Sequence, residues 1–136
     1  MKILIKDGKS PGFFSVSIIV REFFQEWLTA RISFQLNGFS AEFDFSLMVG
    51  ELVIFYKELL SLNNTLKGTA HFKNLEDNVG LTFSIDNLGH VQGNGTLRDR
   101  LYAVKMSFLL EFDQTYLPGI LHDYRNIIKE LKLEVD

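Results

Sequence analysis

Two runs of alternating apolar and polar residues flank Asn37-Gly38, and together they predict a β-hairpin. Asn-Gly is the preferred pair for a two-residue type I′ turn, which requires positive φ at both positions. A turn of two residues fixes the register of the strands, so Ile32 must face Phe43 and Arg31 must face Asp44. This register collects apolar residues on one face and the charged pair on the other. Turn chemistry and side-chain pattern therefore agree on a hairpin.

A second hairpin and a helix are predicted around this one. At the N-terminus, Ile3 and Ile5 alternate with lysines, a turn-like DGKSPG segment follows, and residues 13–20 are rich in β-favouring residues. After the first hairpin, apolar residues recur at steps of three and four. They are Met48, Leu52, Phe55, Leu59 and Leu62. This spacing predicts an amphipathic helix over residues 49–62, which ends at Asn63-Asn64.

Four further alternating runs, at residues 65–73, 79–86, 89–97 and 101–112, predict four more strands. The third run, GHVQGNGTL, has three glycines and could suggest a phosphate-binding loop. It lacks the Lys-Ser/Thr of that motif and no helix opens at its glycines, so the pattern favours a strand. The glycines share the inward face, where they would let a helix approach closely or let the sheet bend.

The fourth run predicts that alternate residues from Tyr102 to Phe112 lie on one apolar face, with Val104 among them. The last element is a helix over residues 115–133, which Thr115 could cap and which has Pro118 in its first turn. Short connections between strands favour antiparallel pairing. We therefore expect residues 1–136 to form a single α+β domain. It would have one mainly antiparallel sheet of about six or seven strands, with two helices packed on one face and a polar opposite face.

Composition narrows the possible functions of this chain. Of its 136 residues 46% are hydrophobic and none is cysteine, which excludes disulfides and thiolate metal sites. The N-terminus lacks the uninterrupted apolar segment of a signal peptide, and no stretch approaches the length of a membrane span. A net charge of −3 argues against nucleic acid as a direct ligand and allows a basic protein partner. We expect no direct binding of nucleic acid and no membrane association.

Histidines offer the main candidate chemistry. His71 and His90 point to the predicted polar face and could form an acid–base or metal site with nearby carboxylates, or could be ordinary solvated strand residues. No metal-binding histidine spacing occurs, and His122 stands alone, so we expect neither metal nor cofactor. The polar face could instead dock a partner, because tryptophan and arginine are enriched in binding hot spots. Its candidate partner-binding residues are Trp27, Arg31, Glu42, Asp44, Lys67, His71, His90, Gln92 and Asn94.

A family resemblance adds to this interpretation. The segments EWLTARISF, FSAEFDFSL, GELVIFYKELLSL, LKGTAHF, LGHVQGNGTLRD and LLEFDQTYLPGIL occur in an order that resembles the WapI-type immunity proteins. These small bacterial proteins neutralise the toxic C-terminal domains of polymorphic, wall-associated toxins. The resemblance spans residues 26–131, and LGHV and FDQTYLP are its most specific parts. Asp113, Gln114 and Tyr116 match the family pattern, and we expect them to position the start of the last helix.

The resemblance implies a cytoplasmic protein without enzymatic activity. It would bind the C-terminal domain of a cognate toxin, which could be a nuclease, and block it by occlusion. The predicted polar face is the first choice for the interface, and loops at the sheet edge are the rival. Two alternatives remain open. A small-molecule-binding or regulatory module could use the same polar face and would need a pocket with convergent polar groups. An enzyme could use His71 or His90 with a carboxylate. The sequence leaves the oligomeric state open.

Overall fold

The computed structural model describes residues 1–21 and 26–135. Four strands, a helix, four more strands and a second helix follow one another, which confirms the predicted order of elements. The elements are β1 (Lys2–Lys6), β2 (Phe13–Arg21), β3 (Trp27–Leu36), β4 (Phe39–Met48), α1 (Val49–Thr65), β5 (Thr69–Lys73), β6 (Val79–Ile85), β7 (His90–Arg98), β8 (Lys105–Asp113), a single turn of 3-10 helix (Gln114–Tyr116) and α2 (Leu117–Glu130).

The strands form two four-stranded antiparallel sheets, in the orders β1-β2-β3-β4 and β5-β6-β7-β8. The expected single sheet of six or seven strands was therefore wrong, although the α+β class and the antiparallel pairing are confirmed. Short turns dictate the pairing within each group of four strands. Between the groups, α1 interrupts the chain, and sequence pattern alone does not say whether β5 rejoins β4 or begins a new sheet. Here β5 pairs with β6 and packs against α1.

The β3–β4 hairpin has the predicted turn and register. Asn37 and Gly38 have φ values of 50° and 87°, as a type I′ turn requires. Arg31 faces Asp44, and Ile32, Phe34 and Phe45 are buried in the core, whereas Phe39 beside the turn is 66% exposed. The predicted N-terminal hairpin is confirmed as β1 and β2, which pair from Lys2 to Lys6. Local turn chemistry was sufficient to predict both hairpins.

One continuous core receives side chains from both sheets and both helices. Helix α1 contacts β4, β5 and α2, and α2 also packs against β1. The Tyr124 hydroxyl of α2 is buried and donates a 2.6 Å hydrogen bond to the Leu52 carbonyl of α1, and burial raises its pKa well above the ordinary value. Within the described ranges, no helix is long and apolar enough to cross a membrane.

The inward glycines of β7 make room for aromatic rings of the neighbouring strands. A Cβ at Gly93 would lie 2.6 Å from the Phe83 ring, and a Cβ at Gly95 would overlap the Phe108 ring. Phe108 in turn stacks on the first sheet, with its ring centroid 4.4 Å from that of Phe34. The glycines therefore make room for the Phe83 and Phe108 rings of neighbouring strands, whereas we had expected them to allow either a close helix approach or a bend of the sheet. Their inward orientation is as predicted.

Each edge strand has an outward backbone group that accepts or donates a hydrogen bond outside its sheet. On β1 the Leu4 amide donates to the Asp123 carboxylate, and on β4 the Ser46 carbonyl accepts from Asn74. On β5 the His71 amide donates to the Glu58 carboxylate. On β8 the Glu111 amide donates to the Asp7 carboxylate, and the Glu111 carbonyl accepts from the Gly8 amide. Unpaired strand edges favour aggregation, and covering them limits it. Some of these bonds also join the two sheets. Asn74 of the β5–β6 loop binds β4, and Asp7 and Gly8 of the β1–β2 turn bind β8.

The termini of several elements differ from the predicted ones. Strand β8 begins at Lys105, so Tyr102 and Val104 lie outside it and are exposed, although the alternation predicted an inward orientation. Helix α1 extends three residues beyond the predicted end. Asp113, and not Thr115, caps the turn before α2 by accepting a 3.0 Å hydrogen bond from the Thr115 amide. Pro118 lies in the first turn of α2, as predicted.

Candidate partner-binding surfaces

The nine candidate residues do not share one polar face. Trp27, Arg31, Glu42 and Asp44 lie on the first sheet, whereas His71, His90, Gln92 and Asn94 lie on the second. Lys67 lies in the connection between α1 and β5 and is exposed. Because the apolar faces of both sheets contribute to the same core, their polar faces lie on different sides of the protein. The expectation of one continuous face fails for the same reason as the single-sheet expectation.

On the first sheet, Arg31 and Asp44 form the predicted cross-strand pair. Arg31 Nε lies 2.7 Å from Asp44 Oδ1, and Nη2 lies 3.3 Å from Oδ2, so the guanidinium binds the carboxylate with two hydrogen bonds. This hydrogen bonding lowers the pKa of Asp44, and the positive charge of Arg100 lowers it further. Arg100 belongs to the β7–β8 connection. Hydrogen bonds of Asn78 to the Asp99 carbonyl and of Asn74 to the Ser46 carbonyl link this connection to β4.

On the second sheet, His71 and Asn94 flank Thr82 in one row across three strands. His71 Nδ1 lies 2.6 Å from Thr82 Oγ1. His71 and Asn94 are exposed, and Thr82 between them is partly buried. His90 lies four residues before Asn94 in β7, so strand spacing and rise separate it from His71 by roughly 16 Å. The two histidines therefore do not form a joint acid–base pair.

A groove beside the first residues of β7 contains His90 and Gln92, and its volume is about 320 Å³. His90 Nδ1 lies 3.4 Å from Asp86, and Asp113 is its neighbour across the strands. Backbone hydrogen bonds, led by the one from the His90 amide, lower the pKa of Asp86. On the other wall, Lys9 forms an ion pair with Glu111, and this contact raises the pKa of Lys9. The groove therefore brings polar groups together from three turns of the chain.

The two most specific segments of the family resemblance meet at this groove. The Gln114 amide donates a 2.9 Å hydrogen bond to the Gly89 carbonyl. Gly89 has a φ of 83°, and a Cβ there would lie 2.7 Å from the Gln114 side-chain oxygen. Only glycine fits this combination of backbone geometry and close approach without strain. The LGHV and FDQTYLP segments therefore form one structural joint that sets the start of α2.

Neither histidine has a full catalytic arrangement. A nucleophile, a base and an orienting group within hydrogen-bonding reach are the usual minimum, and His90 has only carboxylate neighbours. Across the part of the chain that the structure describes, no group of three or more histidine, aspartate or glutamate residues could hold a metal ion. Among the described residues, the candidate binding features are two exposed polar faces, the groove beside His90 and the loops between strands.

Sequence reasoning missed an exposed apolar surface at the other end of the second sheet. Leu75 in the β5–β6 loop is 71% exposed, and in the β7–β8 loop Leu101, Tyr102 and Val104 are 86%, 52% and 64% exposed. We call these four residues the apolar loop cluster. The alternating pattern continues through this loop, so the predicted last strand began at residue 101 and placed Tyr102 and Val104 in the core. No signal in the sequence marks where the strand begins.

Two buried asparagines hold this end of the sheet together. Asn74 and Asn78 are each 1% exposed. Asn74 Oδ1 accepts hydrogen bonds from the amides of Asn78 and Val79 at 2.8 and 2.9 Å, and its Nδ2 donates to the Ser46 carbonyl of the first sheet. Asn78 Nδ2 donates to the Arg98 carbonyl at the end of β7. The pair therefore fixes the β5–β6 loop against β4 and the β7–β8 loop.

Comparisons with known proteins give a fold and a family. The structure is similar to that of MRP1/MRP2 from Trypanosoma brucei, with a TM-score of 0.55 and 8% identity over 97% of this chain and 84% of that one. It is also similar to WHY3 from Arabidopsis thaliana, with a TM-score of 0.52 and 14% identity over 94% of this chain and 85% of that one. At such identities the likeness concerns the fold alone.

No curated protein matches the sequence. The family described as the Immunity protein WapI-like family matches residues 3–132, which is nearly the whole chain and includes the β1–β2 hairpin that the resemblance covered weakly. The match thus includes the LGHV and FDQTYLP segments and the joint that they form. The chain belongs to the WapI-like immunity protein family.

Proposed function

We propose that this protein binds the toxic C-terminal domain of a cognate polymorphic toxin and neutralises it by occlusion. The family match over residues 3–132 carries this proposal. The structure is compatible with a binding role, because the described residues present two exposed polar faces and a groove. The toxin domain would be a nuclease, and the protein would act in the cytoplasm, where such a toxin would reach its substrate.

The first sheet is our preferred site for the toxin among the two polar faces. It bears Trp27 and Arg31, which are the residue types enriched in binding hot spots, and Glu42 and Asp44 lie beside them on β4. Asp44 already holds Arg31 in place, so the guanidinium loses little side-chain freedom when a partner binds. His71, His90, Gln92, Asn94 and Lys67 then lie outside the main contact.

The test is a titration of the full-length protein with the toxin domain encoded beside its gene, with growth rescue on co-expression as the readout in cells. We expect nanomolar binding, rescue, and loss of RNA cleavage by the toxin domain when the two proteins are equimolar. Absence of both binding and rescue, with each protein folded by circular dichroism, would remove the proposal. Rescue without inhibition of RNA cleavage would retain immunity and reject the nuclease assignment.

A small-molecule-binding role has one observation in its favour, which is the groove beside His90. Its volume of about 320 Å³ is at the lower end of the range for ligand pockets, and polar groups converge on it. Replacing His71 and His90 together by alanine separates the hypotheses. An immunity protein keeps toxin binding and rescue in this variant, whereas a function of the groove or of a histidine in catalysis is lost.

A further inference from the structure

The apolar loop cluster exposes large side chains on a loop of well-defined conformation. In the β7–β8 loop, the Val104 amide donates a 2.8 Å hydrogen bond to the Asp99 carboxylate, and the Tyr102 amide donates to the Asp99 carbonyl at 3.0 Å. The Tyr102 hydroxyl donates to the Glu76 carbonyl of the β5–β6 loop. The Arg98 guanidinium lies over the Tyr102 ring, 5.5 Å from its centroid. The two loops therefore form one preorganised unit.

The β7–β8 loop combines a rare backbone conformation with exposed apolar side chains, and both features cost free energy in the isolated protein. Tyr102 has a φ of 56°, a region that non-glycine residues rarely occupy and that marks strained, often functional positions. Leu101 and Val104 keep most of their surface in water, although a turn of this type accepts polar residues equally well. Exposed apolar patches on ordered structure mark interaction sites. The contacts of Tyr102 with Asp99, Glu76 and Arg98 hold this conformation, and Leu101 and Val104 remain largely exposed on it.

The charges around the cluster indicate what covers it. Arg100 is exposed within the loop and Lys105 is exposed at the start of β8. Neither has an ion-pair partner within 4 Å among the described residues. The same two loops also carry Glu76, Asp77 and Asp99, but Asp77 pairs with Lys73 and Arg98, and Asp99 accepts hydrogen bonds within its own loop. Arg100 and Lys105 are thus cations that a partner could pair. A complementary partner therefore offers an apolar depression bordered by carboxylates.

We propose that the apolar loop cluster is the anchor with which this protein docks its toxin, entering an apolar depression bordered by aspartate or glutamate side chains. This inference rests on the proposed function and deepens it. Leu101 and Val104 supply the buried contact, and Arg100 pairs with a carboxylate at the border. The cluster adjoins β4 of the first sheet, because Asn74 donates to the Ser46 carbonyl of β4 and Asn78 donates to the Asp99 carbonyl of the β7–β8 loop. Desolvation within such an anchor concentrates the binding energy in a few residues.

The experiment measures toxin-domain affinity for the full-length double variant L101S/V104S. We expect affinity to fall by at least about 30-fold, as for hot-spot residues. The matched control is Leu88→Ser, because Leu88 is 79% exposed in the β6–β7 turn at the opposite end of β7. This control should bind like the unchanged protein. Both replaced residues are exposed, so the melting temperature should stay close to that of the unchanged protein, and circular dichroism verifies folding.

A charge-reversal pair tests the identity of the partner surface. Arg100→Glu should weaken toxin binding by about tenfold or more, with a larger effect at low salt. Arg125→Glu, on the exposed side of α2, is the matched control and should leave affinity unchanged. Amide hydrogen exchange in the unchanged complex gives an independent readout that requires no variant, because binding at the anchor should protect residues 99–104.

The outcomes separate this inference from the proposed function. If the unchanged protein does not bind the toxin domain, the proposed function fails and the inference fails with it. If it binds, but L101S/V104S retains affinity and residues 99–104 gain no protection, the anchor is refuted and immunity stands. If sedimentation of the unchanged protein without toxin reveals dimers that L101S/V104S abolishes, the cluster is a contact between copies of this chain, and the inference is overturned.

Discussion

Replacing Gly95 by alanine tests how the two sheets are held together. A Cβ at this position would lie 2.5 Å and 2.7 Å from the Cε1 and Cε2 atoms of the Phe108 ring. The ring has little room to withdraw, because it packs against Phe34 at 4.4 Å and Phe14 at 5.8 Å between centroids. Gly95→Ala must therefore displace the aromatic residue that links the second sheet to the first.

The expected cost follows from two opposing effects. Inserting a methyl group into a well-packed core usually costs about 1–3 kcal/mol. Removing a glycine from a strand gains about 0.5–1 kcal/mol, because the unfolded chain becomes less flexible. The difference spans about 0–2.5 kcal/mol, and because the added Cβ would overlap the ring we expect the free energy of unfolding to fall by about 1–2.5 kcal/mol. For a chain of this size the melting temperature should then fall by about 3–12 °C.

Urea unfolding followed by circular dichroism measures this change, with two controls. Gly50→Ala is the matched substitution, since no atom lies within 4 Å of the added Cβ in α1, and it should gain up to about 1 kcal/mol. Phe108→Ala removes the ring, so in that background Gly95→Ala should be neutral or stabilising. Equal stability of Gly95→Ala and the unchanged protein would refute the close packing inferred here.

Three further changes test the interior and the acid response. Asn74→Ala should lower the free energy of unfolding by about 2–4 kcal/mol in urea titrations, because it leaves buried backbone amides without acceptors. Tyr124→Phe should cost only about 0.5–1.5 kcal/mol in the same assay, since the Leu52 carbonyl keeps its helical hydrogen bond. The pKa of Asp86 in the folded protein lies below its ordinary value of 3.8. The ionised carboxylate therefore stabilises the folded state fully above pH 3.8, and this stabilisation is lost as the pH falls through the pKa of the folded state. Unfolding at pH 6 and pH 3 should therefore reveal a smaller acid destabilisation in Asp86→Asn than in the unchanged protein, and an equal loss would contradict the assignment.

The candidate site was predictable only in its local parts. The Arg31–Asp44 pair follows from a two-residue turn, because such a turn fixes every facing pair in the hairpin. The grouping of the candidate residues did not follow, since it depends on which strands share a sheet. The apolar loop cluster was not predicted, because the alternation of apolar and polar residues continues through it. Alternation continues through Tyr102, and only the hydrogen bonds of Asp99 show that the chain turns there before β8 begins.

The sequence by itself determined the elements whose causes are local. Turn residues set the hairpins, apolar spacing set the two helices, and strict alternation identified the glycine-rich segment as a strand and excluded a phosphate loop. Tertiary structure decided how these elements meet. The two sheets, the phenylalanines that occupy the space above the β7 glycines, and the buried Asn74–Asn78 pair all depend on contacts between residues far apart in the chain. A periodic pattern shows which side of an element is apolar. Which other element covers that side depends on how the whole core packs.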